Sequence, residues 1–228
     1  MSDVNRLYLL LCFVLVAVSL RNQKVILPQM LDTYQVSLAK SVSIPELRAF
    51  TLCFEATKIG KEDNEWTAFS YSDASFTQLL SFGKTKNGYF LSISGSKCLL
   101  NSALPVKDKE DIFTESFEQL CIVWNNSLGY VGVNFKRNYG AVSCDSTISK
   151  VIPGNGKLLL GSNQNEIASL KGDIYNFRLW NFAMNSKILF NLSCNVKGNV
   201  VDWQNDFWNI PTLALKAESN LSCGKSVA

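Results

Sequence analysis

Glu62, Asp63 and Glu65 form the tightest acidic group in the chain. Two carboxylates set across a cleft can cleave a sugar linkage, one as general acid and the other as base or nucleophile. A glycosidase strand would turn such acids inward among hydrophobic residues. These three instead sit in a Lys-Glu-Asp-Asn loop, which reads as a solvated turn. The mixed run Lys107 to Asp111 reads the same way. The chain has no histidine at all. That removes the commonest general base and the commonest zinc ligand, and makes a Ser-His-Asp or Cys-His arrangement impossible. The reactive side chains therefore point away from an enzyme.

Cysteine offers a different chemistry. Seven are present: Cys12, Cys53, Cys98, Cys121, Cys144, Cys194 and Cys223. No Cys-x-x-Cys spacing occurs, which argues against a zinc ribbon or a thioredoxin-type site. Met1 to Ser19 reads as a secretory signal peptide or a foreign leader. Arg6 opens it, Leu7 to Val18 is an unbroken apolar run, and Ala17 and Ser19 are the small residues a signal peptidase takes. Cys12 would leave with that leader. Six cysteines remain, an even number, as disulfides in an oxidising compartment require. Six permit many pairings, and spacing alone does not choose among them. Three sequons, at Asn125, Asn191 and Asn220, agree with export and predict exposed, glycosylated asparagines. The expected localisation is secreted or at the extracellular face of the plasma membrane. The apolar run is too short to span a bilayer and no other stretch is a candidate, so no membrane insertion by this chain is expected. A net charge of +3 gives no case for nucleic acid.

The elements that must position these residues are short strands. Hydrophobic residues make up 47% and charged residues 18%, the balance of a globular chain. Its 228 residues suit one all-β domain, placed at 20–224 with a frayed tail at 225–228. Phe50, Leu52, Phe54 and Ala56 alternate with Thr51, Cys53 and Glu55, the period of a strand with two faces. Further strands are read at Val25 to Leu27, Tyr34 to Ala39, Trp66 to Tyr71, Leu79 to Phe82, Tyr89 to Ile93, Phe117 to Trp124 and Leu128 to Phe135. In the stretch from Lys157 to Trp203, Ile174, Asn176, Arg178 and Trp180 alternate with Tyr175, Phe177, Leu179 and Asn181. Asn185 can cap a short helix over Ser186 to Leu192. Turns at regular spacing and almost no helix argue for an antiparallel β-sandwich. Its expected inward aromatics are Phe54, Phe69, Trp124, Phe177, Trp180 and Trp203.

From about Tyr34 to Trp208 the chain resembles a pentraxin domain. The likeness lies in Phe50-Thr51-Leu52-Cys53-Phe54, Cys121-Ile122-Val123-Trp124, Leu160-Gly161, Gly172-Asp173-Ile174 and Leu179-Trp180-Asn181. It implies an all-β jelly roll of the concanavalin A/pentraxin kind with one short helix, and a disulfide between Cys53 and Cys121. With that pair placed, Cys194–Cys223 and Cys98–Cys144 are the pairs expected of the others. The family signature has His two residues before the second cysteine and Ser or Thr two after it. Here Gln119 and Val123 stand there, and Trp124 is kept. The family also binds calcium through an early Asp-Asn pair and a Glu-Gln-Asp run after a Leu-Gly. Here the early positions read Phe76-Thr77-Gln78 and the later ones Asn163, Gln164, Asn165 and Glu166. Neutral amides replace most of the charge calcium needs, so no cofactor is expected, and those four residues are the weak calcium candidates.

The run from Val16 to Asn22 through Asn220 to Gly224 is most similar to the pentraxin-like domains in adhesion G-protein-coupled receptor ectodomains. There Val16 to Asn22 would join a preceding CUB domain. The resemblance implies a non-catalytic recognition module contacting extracellular matrix proteins, such as collagen or laminin types, or neighbouring receptor ectodomains. The alternative it leaves is a free secreted pentraxin with calcium-dependent ligand binding.

Overall fold

The computed structural model describes residues 17–27, 36–60, 65–104, 111–162, 169–193, 195–211 and 214–218. Alternation sends one face of each strand inward and builds two antiparallel sheets. The first runs in the order β1 (Ala17–Ser19), β15 (Phe207–Asn209), β3 (Val36–Leu38), β12 (Lys157–Leu160), β5 (Trp66–Ser72), β6 (Gln78–Thr85), β7 (Gly88–Ile93) and β8 (Ser96–Leu99). The second runs β11 (Asn138–Ser143), β10 (Tyr130–Phe135), β9 (Glu118–Asn125), β4 (Ala49–Ala56), β13 (Asp173–Trp180), β2 (Gln23–Ile26) and β16 (Leu215–Glu218), with β14 (Val201–Asp202) beside β13. This is the expected all-β sandwich. No helix among the described residues is long and apolar enough to cross a membrane.

Aromatic rings fill the space between the sheets. Phe54 of β4 meets Phe69, Phe82, Phe113 and Phe177 at centroid separations of 5.7 to 6.1 Å. Trp203 and Trp208 pack at 5.1 Å, both fully buried. Tilted and edge-on pairs of this kind add to the area they remove from water. Five of the six expected inward aromatics, Phe54, Phe69, Trp124, Phe177 and Trp203, lie in this core.

Trp180 does not. Strict alternation fails within β13, where the register against β4 shifts between Tyr175 and Arg178. Asn176 sits there in the left-handed region, φ 55°, so that one extra residue enters the strand as a β-bulge. Phe177 and Leu179 then face the core, while Trp180 joins a second apolar cluster outside the sheet. All eight residues of β13 are buried. Ala17–Ser19, the last three residues of the expected leader, pair with Phe207–Asn209 as β1, and Leu20 is fully buried.

The helix α1 (Ser186–Phe190) lies over the outer face of the second sheet, with Leu189 turned down into the outer cluster. Asn185 caps it: its Oδ1 accepts from the Ile188 N–H at 2.9 Å. Asn185→Ala removes that acceptor and is expected to cost about 1 kcal/mol, measured by urea unfolding of the intact chain. A loss below about 0.3 kcal/mol would show the cap to be idle.

Candidate recognition surface

The outer face of the second sheet begins with two facing cysteines. Cys53 and Cys121 are directly opposite in the β4–β9 ladder, and the structure bonds them, with Cα atoms 4.1 Å apart. Both are fully buried beneath Trp180, Met184 and Leu189. Cys98 of β8 bonds Cys144, which follows β11, across 5.8 Å between Cα atoms. Each of those strands is the edge of its own sheet, so this bridge ties the two sheets together along one side. Cys194 and Cys223 lie outside the described residues.

The bulge in β13 sets a buried guanidinium beside the first bridge. Arg178 is 1% exposed. Its Nη1 donates to the carbonyls of Ser193 and Val196, at 3.0 and 2.8 Å. The Trp180 ring lies 5.4 Å away, and its Nε1 donates to the Lys197 carbonyl. Arg178 thus pins the strip after α1 onto the sheet. Its Nε and Nη2 are buried without a partner. Asn176 Nδ2 donates to Glu55 Oε1 at 3.0 Å. Burial pushes the Glu55 carboxyl up from its ordinary value, with the Asn176 hydrogen bond and the Arg178 charge pulling it partly back. Burial lowers Arg178, which Glu55 and Asp202 oppose.

The sign of that Glu55 shift gives a pH test. A carboxyl whose pKa is higher folded than unfolded binds its proton more tightly in the folded state. Its contribution is therefore neutral below the ordinary carboxylate range and destabilising once pH rises through the raised value. Glu55→Gln removes this titration. The variant's melting temperature, relative to the parent, is expected to climb between pH 4 and pH 7 (about that range, from the ordinary glutamate value). A difference that stays flat or falls would contradict the assignment.

A second buried charge corrects the sequence reading of Lys107 to Asp111. Asp111 is no solvated loop residue: its side chain is 10% exposed. It accepts from Trp66 Nε1 at 2.9 Å and from the Tyr89 hydroxyl at 3.2 Å, with Lys84 and Lys58 Nζ at 3.5 and 3.6 Å. Residues 107–110 lie outside the described residues. This cluster ties β5, β6 and β7 to the connection before β9, a structural strut. Glu65 is exposed and accepts from the Lys86 N–H. Glu62 and Asp63 are outside the described residues, so the acidic group is not seen whole.

The first sheet carries the positions where the family's calcium would sit. Phe76 is exposed at the β5–β6 turn, and Gln78 opens β6. Ser70, Ser72 and Ser81 share the outer face of that sheet and are buried. The Ser70 hydroxyl donates to the Ser162 carbonyl at 2.9 Å, which brings the chain after Gly161 back over this face. Gln78 Nε2, Ser81 Oγ and Ser162 Oγ are buried there without partners among the described residues. Asn163, Gln164, Asn165 and Glu166 lie outside the described residues. Among the described residues, the side chains that face this position are hydroxyls and an amide, and Asp73, in the β5–β6 turn, has its Oδ1 taken by the N–H groups of Ser75 and Thr77. Calcium draws most of its affinity from carboxylates, whereas the described side chains at this position supply hydroxyls and an amide.

The sequons divide. Asn191 is exposed at the C-cap of α1. Asn125 is half-buried at the end of β9, its Oδ1 accepting from the Ser127 N–H and hydroxyl at 2.9 and 2.8 Å. Asn220 lies outside the described residues. Sequence reasoning missed Arg178 and Asp111 as organising charges. The available signal was a cation inside a run of strand hydrophobics, Tyr175 to Trp180.

A family model described as the Pentaxin family matches residues 24–215. Adhesion G-protein coupled receptor G6 of Danio rerio is 38% identical over 217 residues, which cover 93% of this chain and 18% of the receptor. The solved full extracellular region of zebrafish Gpr126/Adgrg6 matches with a TM-score of 0.77 at 38% identity, over 89% of this chain and 27% of that one. A native heptameric SAP-like pentraxin from Limulus polyphemus matches with a TM-score of 0.71 at 18% identity, over 90% of this chain and 98% of that one. The last likeness is one of fold. The chain thus spans under a third of the receptor and of the receptor ectodomain it matches.

Proposed function

The chain belongs to the pentraxin family, and from that premise we propose that it is a non-catalytic, extracellular recognition module of an adhesion G-protein-coupled receptor ectodomain. The observation that carries the reading is the 38% identity over 93% of the chain to a receptor of which it covers only 18%. Identity of that extent supports reading the chain as one module of such an ectodomain, whose work is contact. Its partners are extracellular matrix proteins, such as collagen or laminin types, or neighbouring receptor ectodomains.

The lack of histidine supports a non-catalytic role. So does the use of the buried charges at Arg178 and Asp111 to hold backbone and rings. The neutral donors around Gln78 and Ser81 support recognition that does not run through calcium. Asn125, Asn191 and Asn220 carry N-linked glycans in this reading.

The test is binding of the secreted, glycosylated chain to immobilised collagens, laminins and receptor ectodomains, with calcium and with a chelator. Saturable binding to at least one of them, unchanged by the chelator, is expected. No binding to any, or binding abolished by the chelator, would contradict the reading.

A further inference from the structure

At the end of the β9–β10 hairpin a glycosylation sequon meets exposed aromatic surface. Asn125 closes β9 and stands directly opposite Tyr130 of β10 in the ladder. Side chains so opposed start about 5 Å apart. Trp124 and Val131 point into the core, so Asn125 and Tyr130 share the outer face of the second sheet. Tyr130 is 38% exposed, and Leu128 and Ile148 are exposed as well. Ile148 lies against the turn: a Cβ at Gly129, which is left-handed with φ 59°, would meet its Cδ1 at 2.9 Å. Gly132 follows Tyr130 by two residues on the same face. Tyr139 of β11 leans across it, with its hydroxyl where a Cβ at Gly132 would stand. Tyr139 is half-buried and packs against the cluster of Trp180, Met184 and Leu189. Burial raises its phenol from the ordinary value, and the Tyr130 phenol adds to this.

Asn125 is held in one orientation. Its Oδ1 accepts from the Ser127 N–H and hydroxyl at 2.9 and 2.8 Å, and its carbonyl accepts from the Leu128 N–H at 3.2 Å. The next residue anchors the turn: the Asn126 N–H donates to the Arg48 carbonyl and its Nδ2 to the Lys150 carbonyl, both at 3.0 Å. With Oδ1 committed to the turn, the Asn125 Nδ2 faces away from it, and Nδ2 is the atom an N-linked glycan bonds. A glycan started from a fixed amide has few directions open. Little freedom is then lost when its first sugars settle on the adjacent side chains.

We propose that the N-linked glycan at Asn125 lays its first sugars over Tyr130 and Tyr139, and that this contact within the chain stabilises the fold. Attachment joins Nδ2 to the anomeric carbon of N-acetylglucosamine. The donor, a lipid-linked sugar diphosphate, breaks its C1–O bond and leaves with that oxygen, while Nδ2 gives up one proton. The C–H face of the sugar ring is apolar. It covers an aromatic face much as another ring would and takes apolar area out of water. The proposal rests on the secreted, glycosylated reading above and gives one of its glycans a structural role.

The test joins peptide mass spectrometry of the secreted full chain to thermal melting. Occupancy of Asn125 is expected. Ser127→Ala abolishes the sequon, and its loss of melting temperature should be larger in the parent than in a Tyr130→Thr background by about 3 °C. Taking that difference cancels the hydroxyl's own part in the turn, which both backgrounds share. Ser127→Thr keeps the sequon and the hydroxyl and should melt within about 1 °C of the parent. Ser193→Ala removes the sequon at Asn191 and should cost the same in both backgrounds. Equal losses from Ser127→Ala in the two backgrounds would overturn the proposal. So would the same background dependence in Ser193→Ala, or a Ser127→Thr chain that keeps its glycan yet loses as much as Ser127→Ala. An empty Asn125 beside an occupied Asn191 overturns the sugar contact alone. A chain secreted with Asn125, Asn191 and Asn220 all empty overturns the glycosylated reading with it.

Discussion

Replacing Cys53 and Cys121 together by alanine lowers the unfolding free energy by about 4 kcal/mol. The bridge closes a loop of 68 residues, and freeing a loop of that size returns entropy to the unfolded chain. Both sulfurs are fully buried under α1, so their loss also leaves unfilled space against Trp180, Met184 and Leu189. Urea unfolding under non-reducing conditions reads both parts. The midpoint should fall and the slope should rise, because the uncrosslinked chain exposes more surface when unfolded. Cys98→Ala with Cys144→Ala frees a loop of 46 residues and should cost nearly as much, though at the other side of the sandwich. A loss below about 1 kcal/mol for the Cys53–Cys121 variant would mean the eight-residue β4–β9 ladder holds these strands unaided.

Arg178→Ala is the second large effect, expected at about 3 to 5 kcal/mol. It leaves the Ser193 and Val196 carbonyls without their donor, removes the cation facing Glu55, and opens a void against Trp180. Removing one partner from a buried polar set costs more than the set itself contributes. The loss should be local first: amide exchange at Val196 to Gly198 should quicken before the rest of the sheet. Arg178→Lys keeps the charge but not the planar fork, and should recover only part of the stability. Full stability in Arg178→Ala, or uniform loosening of both sheets, would contradict the pinning role.

The strands β4 and β9 were legible in the sequence because their alternation is clean over Phe50 to Ala56 and Leu120 to Trp124. The cap at Asn185 was legible for a similar reason: it acts within three residues. The bulge in β13 was not. A two-residue period sets Trp180 opposite Phe177, so expecting both inward departed from it; the inserted residue, which the period cannot display, shifts the phase after Ile174 and leaves Phe177 inside and Trp180 outside. Asp111 was misread because its burial depends on Trp66, Tyr89, Lys58 and Lys84, all distant in the chain. β1 was hidden inside an apolar run, which suits a leader as well as an edge strand. The sequon at Asn125 is a local signal, but its meeting with Tyr130 and Tyr139 depends on the registers of β9, β10 and β11.

We propose that this pentraxin-family domain recognises its partner without calcium. Thermal melting of the secreted, glycosylated chain with millimolar calcium and with chelator tests it most directly. A ligand that binds only the folded state must raise the melting temperature as its concentration passes the dissociation constant. Identical melting curves are the predicted result. A clear upward shift with calcium would contradict the claim and make the calcium-dependent secreted pentraxin the better reading.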